Sequence, residues 1–192
     1  MSSPVFGTEI SVLEGTSVTL VCRYIGAKKL DTCWSRTCGT FQCTDPIKED
    51  QSKYKVNAGD GTVKFTILNI QPVDSGSYCC RVEIPGWFND FKQFYRLRVV
   101  KGCERDLLDG VDFLGNNTEN HLITNENASQ CRQECTNNDK FQYFTFVGEK
   151  ADIKEHSNKC FQKASTGDTP EITIQYLQHA TSGYSLRNCS GK

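Results

Sequence analysis

The chain has 192 residues, room for one or two domains, and its net charge of −1 gives no basis for a nucleic-acid partner. Eleven cysteines are heavy usage for this length and point to an oxidising compartment. Zinc is the weaker reading, because Cys33-x4-Cys38-x4-Cys43 departs from the paired short spacings of zinc ribbons. No segment reaches the roughly 18 apolar residues of a membrane span, and Met1-Ser2-Ser3-Pro4 has no apolar signal core. Met1 is read as standing in place of a removed signal peptide. The chain is therefore expected to be extracellular, either secreted or the ectodomain of a cell-surface protein.

Residues 4–101 read as a first domain of short strands separated by turns. Val18, Leu20 and Cys22 alternate with polar positions, as do Val63, Phe65 and Ile67, and then Tyr95, Leu97 and Val99. Period-two patterns at this spacing indicate an antiparallel sandwich. Cys22 and Trp34 are separated as on strands B and C of an immunoglobulin domain. Asp74-Ser75-Gly76-Ser77-Tyr78-Cys79-Cys80 supplies a tyrosine corner and the strand F cysteine, so Cys80 is the inward partner of Cys22. Cys79 and Cys33 adjoin inward residues and so point out of the sandwich. With Cys38 and Cys43 in the C–C′ connection, Cys33–Cys43 and Cys38–Cys79 are the favoured bridges, although other pairings among the four remain open. Lys53 is placed to pair with Asp74 across the bottom of the domain.

Residues 14–100 resemble the variable-type immunoglobulin domain of the T-cell immunoglobulin and mucin-domain (TIM) receptors. The resemblance rests on Cys33-Trp34-Ser35-Arg36-Thr37-Cys38, Cys43, Phe65-Thr66-Ile67, Asp74 to Cys80, and Arg81-Val82-Glu83-Ile84-Pro85-Gly86-Trp87-Phe88-Asn89-Asp90. The stretch between Cys43 and Tyr54 is shorter than the family usually has, which affects the C′–C″ edge. The resemblance implies a cleft between the C–C′ and F–G loops that binds a metal and, in several members, phosphatidylserine; calcium is the hard cation expected there. Asn89 and Asp90 would give side-chain oxygens to the metal, and Ile84 and Gly86 backbone carbonyls. Calcium takes six to eight oxygen ligands, so four from the protein leave positions that a lipid phosphate or carboxylate completes. Trp87 and Phe88, with Phe41 on the facing loop, suit the headgroup level of a membrane. The plainer reading is that these aromatics pack on the neighbouring loop, that Asn-Asp is an ordinary turn dipeptide, or that the same loops meet a protein.

Lys101-Gly102 is the candidate linker, and a connection this short should restrict a hinge. Residues 102–192 then form a second domain, read as a helix over 127–137 with Cys131 and Cys135 on one face, and a strand over 141–147. This half resembles the apple, or PAN, module of plasma prekallikrein and its relatives. The matching runs are Cys131-Arg132-Gln133-Glu134-Cys135-Thr136, Tyr143-Phe144-Thr145-Phe146, Cys160-Phe161-Gln162-Lys163 and Ser182 to Cys189. The resemblance implies an α+β domain, a helix cradled by an antiparallel sheet, with bridges Cys103–Cys189 and Cys131–Cys160. The partner usual for Cys135 is missing, which leaves it as the unpaired cysteine. It is expected to be buried by Phe141 rather than to form an interchain bridge.

Asn116, Asn127 and Asn188 open glycosylation sequons, the last beside a bridged cysteine and so a poor acceptor. His121, His156 and His179 sit in no nucleophile or metal motif. Lys150, Lys154, Lys159 and Lys163 could form a basic strip for glycosaminoglycan, but Asp152 and Glu155 interleave with them, as on an ordinary solvated face.

The expected architecture is mainly β: a variable-type immunoglobulin sandwich followed by an apple/PAN-like domain. The expected function is recognition of phosphatidylserine-containing membranes through a calcium site, with a protein or glycan ligand on the apple-like domain. An immune or adhesion receptor binding a protein through the same loops is the alternative. No catalytic constellation points to an enzyme.

Overall fold

The computed structural model describes residues 9–24, 31–39, 43–59, 61–84, 90–115, 121–124, 126–165 and 171–189, with the backbone alone described at Thr44 and 121–123. The chain divides into two compact units, residues 1–99 and 100–192.

The first unit contains β1 (Glu9–Leu13), β2 (Ser17–Arg23), β3 (Thr32–Cys38), β4 (Cys43–Pro46), β5 (Tyr54–Gly59), β6 (Thr62–Ile67), β7 (Gly76–Val82) and β8 (Phe91–Val100). One sheet runs β1-β8-β7-β3-β4, and β2-β6-β5 form the other layer. The alternating residues of β2 and β6 are buried, as are Trp34, Tyr78, Cys80, Tyr95 and Leu97. Cys22–Cys80 joins the layers with its Cα atoms 6.3 Å apart, and Trp34 stacks on Phe65 at 5.3 Å between ring centroids. Among the described residues, 47–53 carry no strand, only an isolated bridge between Asp50 and Tyr54. The short stretch after Cys43 turns straight into β5, so no C″ strand forms there.

The bottom of this unit is gathered on Asp74. Tyr78 donates its hydroxyl to the Asp74 carbonyl at 2.7 Å, and Lys53 Nζ donates to Asp74 Oδ2 at 2.6 Å. The Arg36 guanidinium lies 4.4 Å from the centre of the Tyr78 ring and donates to the carbonyls of Asp74 and Ser75. Gly76 is required here: its φ is +128°, and a Cβ would come within 3.1 Å of Arg36 Nη2.

The second unit contains β9 (Leu108–Leu114), β10 (His121–Thr124), α1 (Ala128–Asn137), β11 (Tyr143–Val147), β12 (Lys159–Lys163) and β13 (Glu171–Tyr184). Its strands run β10-β12-β11-β13, with β9 also paired to β13. β13 shifts register between Tyr176 and Thr181, where His179 takes a positive φ of 65°. Asn127 is the N-cap of α1 rather than its first helical residue: its side chain accepts the Gln130 N–H at 2.9 Å. The strand expected from 141 starts at Tyr143, because Phe141 N–H closes a turn onto the Asn138 carbonyl. Arg187 satisfies the open carbonyls at the end of α1, donating to Cys135, Thr136 and Asn138 and also to Phe141.

One face of this sheet packs Phe144, Phe146 and Cys160 against Cys131, Cys135 and Phe141. Cys131 and Cys160 are bonded, with Cα atoms 5.5 Å apart. The other face holds a buried polar knot. Lys163 Nζ donates to Asp112 Oδ1 at 3.1 Å, to Thr145 Oγ1 at 2.9 Å and to the Phe113 carbonyl. Thr145 and Gln175 also donate to Asp112, and Ser182 bonds Thr145. Burial pulls the Lys163 ammonium below its ordinary pKa, against the opposing pull of Asp112. Lys163 is therefore no part of a basic surface strip: both it and Asp112 are buried, and their charges neutralise one another.

Candidate ligand site at the base of the loop between β7 and β8

Along β7, Tyr78, Cys80 and Val82 face the core, so Cys79 and Arg81 belong to the outer face of the sheet. The register places Cys33 opposite Arg81 and Ser35 opposite Cys79 on one side, and Lys92 opposite Arg81 on the other. Cys38 bonds Cys79 and Cys33 bonds Cys43, with Cα separations of 5.7 and 6.4 Å. Lys92 Nζ donates to the Gly39 carbonyl at 3.0 Å. These three ties hold the ends of the β3–β4 connection, Cys38, Gly39 and Cys43, on the outer face of β3, β7 and β8.

Of the residues expected at this site, Ile84 and Asp90 are brought together. Ile84 N–H donates to Asp90 Oδ1 at 3.3 Å, closing the ends of the loop. Gly86, Trp87, Phe88 and Asn89, and Phe41 on the facing connection, lie outside the described residues. Asp90 Oδ2 accepts from both Nε and Nη2 of Arg81. The Arg81 hydrogen bonds hold the Asp90 carboxyl below its ordinary pKa, so it is ionised at neutral pH.

Arg81 is the residue that sequence reasoning missed. It is 3% exposed, yet among the described residues its Nη1 has no hydrogen-bond partner. The available signal was parity: Arg81 follows the inward Cys80 and faces Lys92, so two cations share the outer face and call for an acid.

Calcium suits the donors described. The site offers a hard carboxylate oxygen on an ionised Asp90, and among the described residues Oδ1 carries one long hydrogen bond, which leaves lone pairs available. Among the described residues, no group of three His, Cys, Asp or Glu is placed to hold a metal ion. A cation here would depend on one carboxylate plus amide and carbonyl oxygens.

The other cysteines lie in the second unit. Cys135 is free and buried, and burial pushes its thiol up to about 12. The expected Cys103–Cys189 bridge is not closed in this structure. Both are free thiols, and the Cys189 pKa is raised by desolvation and by a hydrogen bond with Cys103. Mild oxidation is expected to close this pair, with a mass loss of about 2 Da, while Cys135 stays inert to iodoacetamide until the protein is denatured. Mass spectrometry of alkylated native and denatured protein checks both. Asn127 and Asn188 are exposed, and Asn116 lies outside the described residues.

The two folds define an immunoglobulin domain followed by a PAN domain. Residues 5–86 match the immunoglobulin I-set domain and residues 103–189 the PAN domain. The chain is 42% identical over 97 residues to hepatitis A virus cellular receptor 1 of Chlorocebus aethiops, covering 44% of this chain and 20% of that protein. It is 38% identical over 101 residues to T-cell immunoglobulin and mucin domain-containing protein 4 of Mus musculus, covering 44% of this chain and 29% of that protein. A solved structure of Tim-4 in complex with phosphatidylserine is 36% identical, covering 49% of this chain and 99% of that one, with a TM-score of 0.42. The first domain belongs to the TIM receptor family, and the chain joins it to a PAN domain. The chain spans 20% to 34% of the length of the first two curated relatives it matches. Among the described residues, no helix is long and apolar enough to cross a membrane.

Proposed function

We propose that the immunoglobulin domain is a calcium-dependent receptor for phosphatidylserine-containing membranes, displayed outside the cell. The single observation that carries this reading is the juxtaposition made by Cys38–Cys79 and Cys33–Cys43. Two bridges and the Lys92–Gly39 hydrogen bond fasten the ends of the β3–β4 connection to the face of β3, β7 and β8 on which Arg81 holds an ionised Asp90. Calcium would be held by Asp90 and Asn89 side-chain oxygens and by the Ile84 and Gly86 carbonyls. When bound, it supplies the positive charge that attracts an anionic headgroup. Trp87, Phe88 and Phe41 would settle at headgroup level. The relative solved with phosphatidylserine is a Tim-4 protein, and the curated relatives include that family member. The PAN domain would add a protein or glycan contact.

With one carboxylate in the ligand set, calcium alone is expected to bind weakly, with a Kd of about 10⁻⁴ to 10⁻³ M as in extracellular modules. The chain should sediment with phosphatidylserine vesicles in calcium and be released by chelator. Asp90→Asn keeps the size of the side chain and removes its charge, and is expected to abolish this binding. Trp87→Ala should weaken it about tenfold or more. Absence of binding to any anionic vesicle at saturating calcium would sink the reading and favour a protein ligand on the same loops.

A further inference from the structure

The sequons sit in different surroundings once the chain is folded. Asn188 lies in a turn with a φ of 59°, closed by the Cys189 N–H on the Leu186 carbonyl at 3.1 Å, and Cys189 in turn hydrogen-bonds Cys103. Asn127 is exposed and its backbone is extended, with φ −158° and ψ 169°. Its side chain caps α1. A backbone N–H can only donate, so the amide atom that meets the Gln130 N–H at 2.9 Å is the oxygen, Oδ1. Nδ2, the atom that takes sugar in a sequon, is then the end turned away from the helix. A second tie steadies this corner: the Glu126 N–H donates to Gln130 Oε1 at 2.9 Å. One turn on, Cys131 packs against the sheet and is bonded to Cys160. That bond fixes the inner face of α1, while Ser129, whose hydroxyl completes the sequon, and Gln130 stay exposed.

We infer that Asn127 is a site of N-linked glycosylation, and that it carries the oligosaccharide without giving up the helix cap. The donor is an oligosaccharide joined to a lipid pyrophosphate. A bond forms between Asn127 Nδ2 and the anomeric carbon, the bond from that carbon to the pyrophosphate oxygen breaks, the lipid pyrophosphate leaves and one amide proton passes to a base. Nothing is oxidised or reduced. Oδ1 keeps its lone pairs and goes on accepting the Gln130 N–H, so modification and capping use opposite ends of one amide. The sugar fills the solvent beside the first turn of α1, and a protein partner of the PAN domain has to meet a face away from that turn. The inference rests on the extracellular part of the proposed function and not on the lipid ligand.

The test uses the full chain secreted from eukaryotic cells behind a signal peptide, and reads its peptides by mass spectrometry before and after peptide N-glycosidase in heavy-oxygen water. The peptide holding Asn127 is expected to carry an oligosaccharide and to return as aspartate labelled with heavy oxygen. Ser129→Ala leaves Asn127 and its cap in place and should abolish the modification, whereas Ser129→Thr should retain it. Hydrogen exchange over 128–137 is expected to be equally slow in the glycosylated chain and in Ser129→Ala. Faster exchange in the glycosylated chain would overturn the retained cap. An unmodified Asn127 in folded, secreted protein that binds phosphatidylserine vesicles would overturn the glycosylation site and leave the membrane reading standing. Glycosylated Asn127 in a chain that binds no anionic vesicle supports the site and removes the membrane reading.

Discussion

Replacing Cys38 and Cys79 together by serine is expected to abolish calcium-dependent vesicle binding and to lower the stability of the immunoglobulin domain by about 3 kcal/mol. The two cysteines are separated by 41 residues, but Cys22–Cys80 already ties β7 to β2. The loop that Cys38–Cys79 newly closes runs from Cys22 to Cys38, close to the roughly 15-residue case for which a cross-link is worth about 3 kcal/mol. Cys33–Cys43 spans only 10 residues within one hairpin, so its removal should cost less. The functional effect exceeds the energetic one. Cys38–Cys79 is the covalent tie between the β3–β4 connection and β7. Without it that wall depends on the Lys92–Gly39 hydrogen bond and the Cys33–Cys43 link. Chemical denaturation and vesicle sedimentation of C38S/C79S measure the two effects separately. Retention of native vesicle affinity in a folded C38S/C79S protein would show that the wall is not needed.

The second large effect is in the PAN domain. Lys163→Ala is expected to cost about 3–5 kcal/mol, because it strands the Asp112 carboxylate in the interior without its cation. Asp112 would keep its hydrogen bonds from Thr145 and Gln175, which do not neutralise it. The double substitution Lys163→Met with Asp112→Leu removes both charges and fills the space, and should recover most of the loss. Hydrogen exchange in β9 and β11, read by mass spectrometry, reports on this domain specifically. Equal destabilisation by the single and double substitutions would mean that packing, not charge, governs the knot.

Much of the first domain was legible because its signals are local. Tyr78 lies two residues from Cys80, Gly76 two before Tyr78, and period-two alternation assigns faces to β2 and β6 without knowledge of their neighbours. The same parity turned Cys33 and Cys79 outward, and the structure bonds them to Cys43 and Cys38. Ile84 N–H meets Asp90 Oδ1 because only a short loop separates them in sequence. The Arg81 pairing was hidden because it needs the register of β3, β7 and β8 together. Lys163 was hidden for a related reason. Its alternation with Gln162 shows that it faces away from α1, but its cover comes from β9, about 50 residues earlier, and no local pattern announces that strand's return. Cys135 could be placed by helical spacing against Phe141, because helix and turn adjoin in sequence.

The Arg187 clamp bears on how the second domain forms during synthesis. Helix α1 ends at Asn137, but its open carbonyls wait for a guanidinium that is added roughly 50 residues later, several seconds at ordinary ribosomal speeds of about 5–20 residues per second. Over that interval the helix is amphipathic, uncapped at its end, and unable to bond Cys131 to Cys160 until β12 has emerged. The domain therefore closes late and in one step, as the final strand brings Arg187 to the helix and Ser182 to the polar knot. A nascent chain arrested between 165 and 180 should present α1 as a protease-sensitive segment, and one extended past 187 and clear of the ribosome should not.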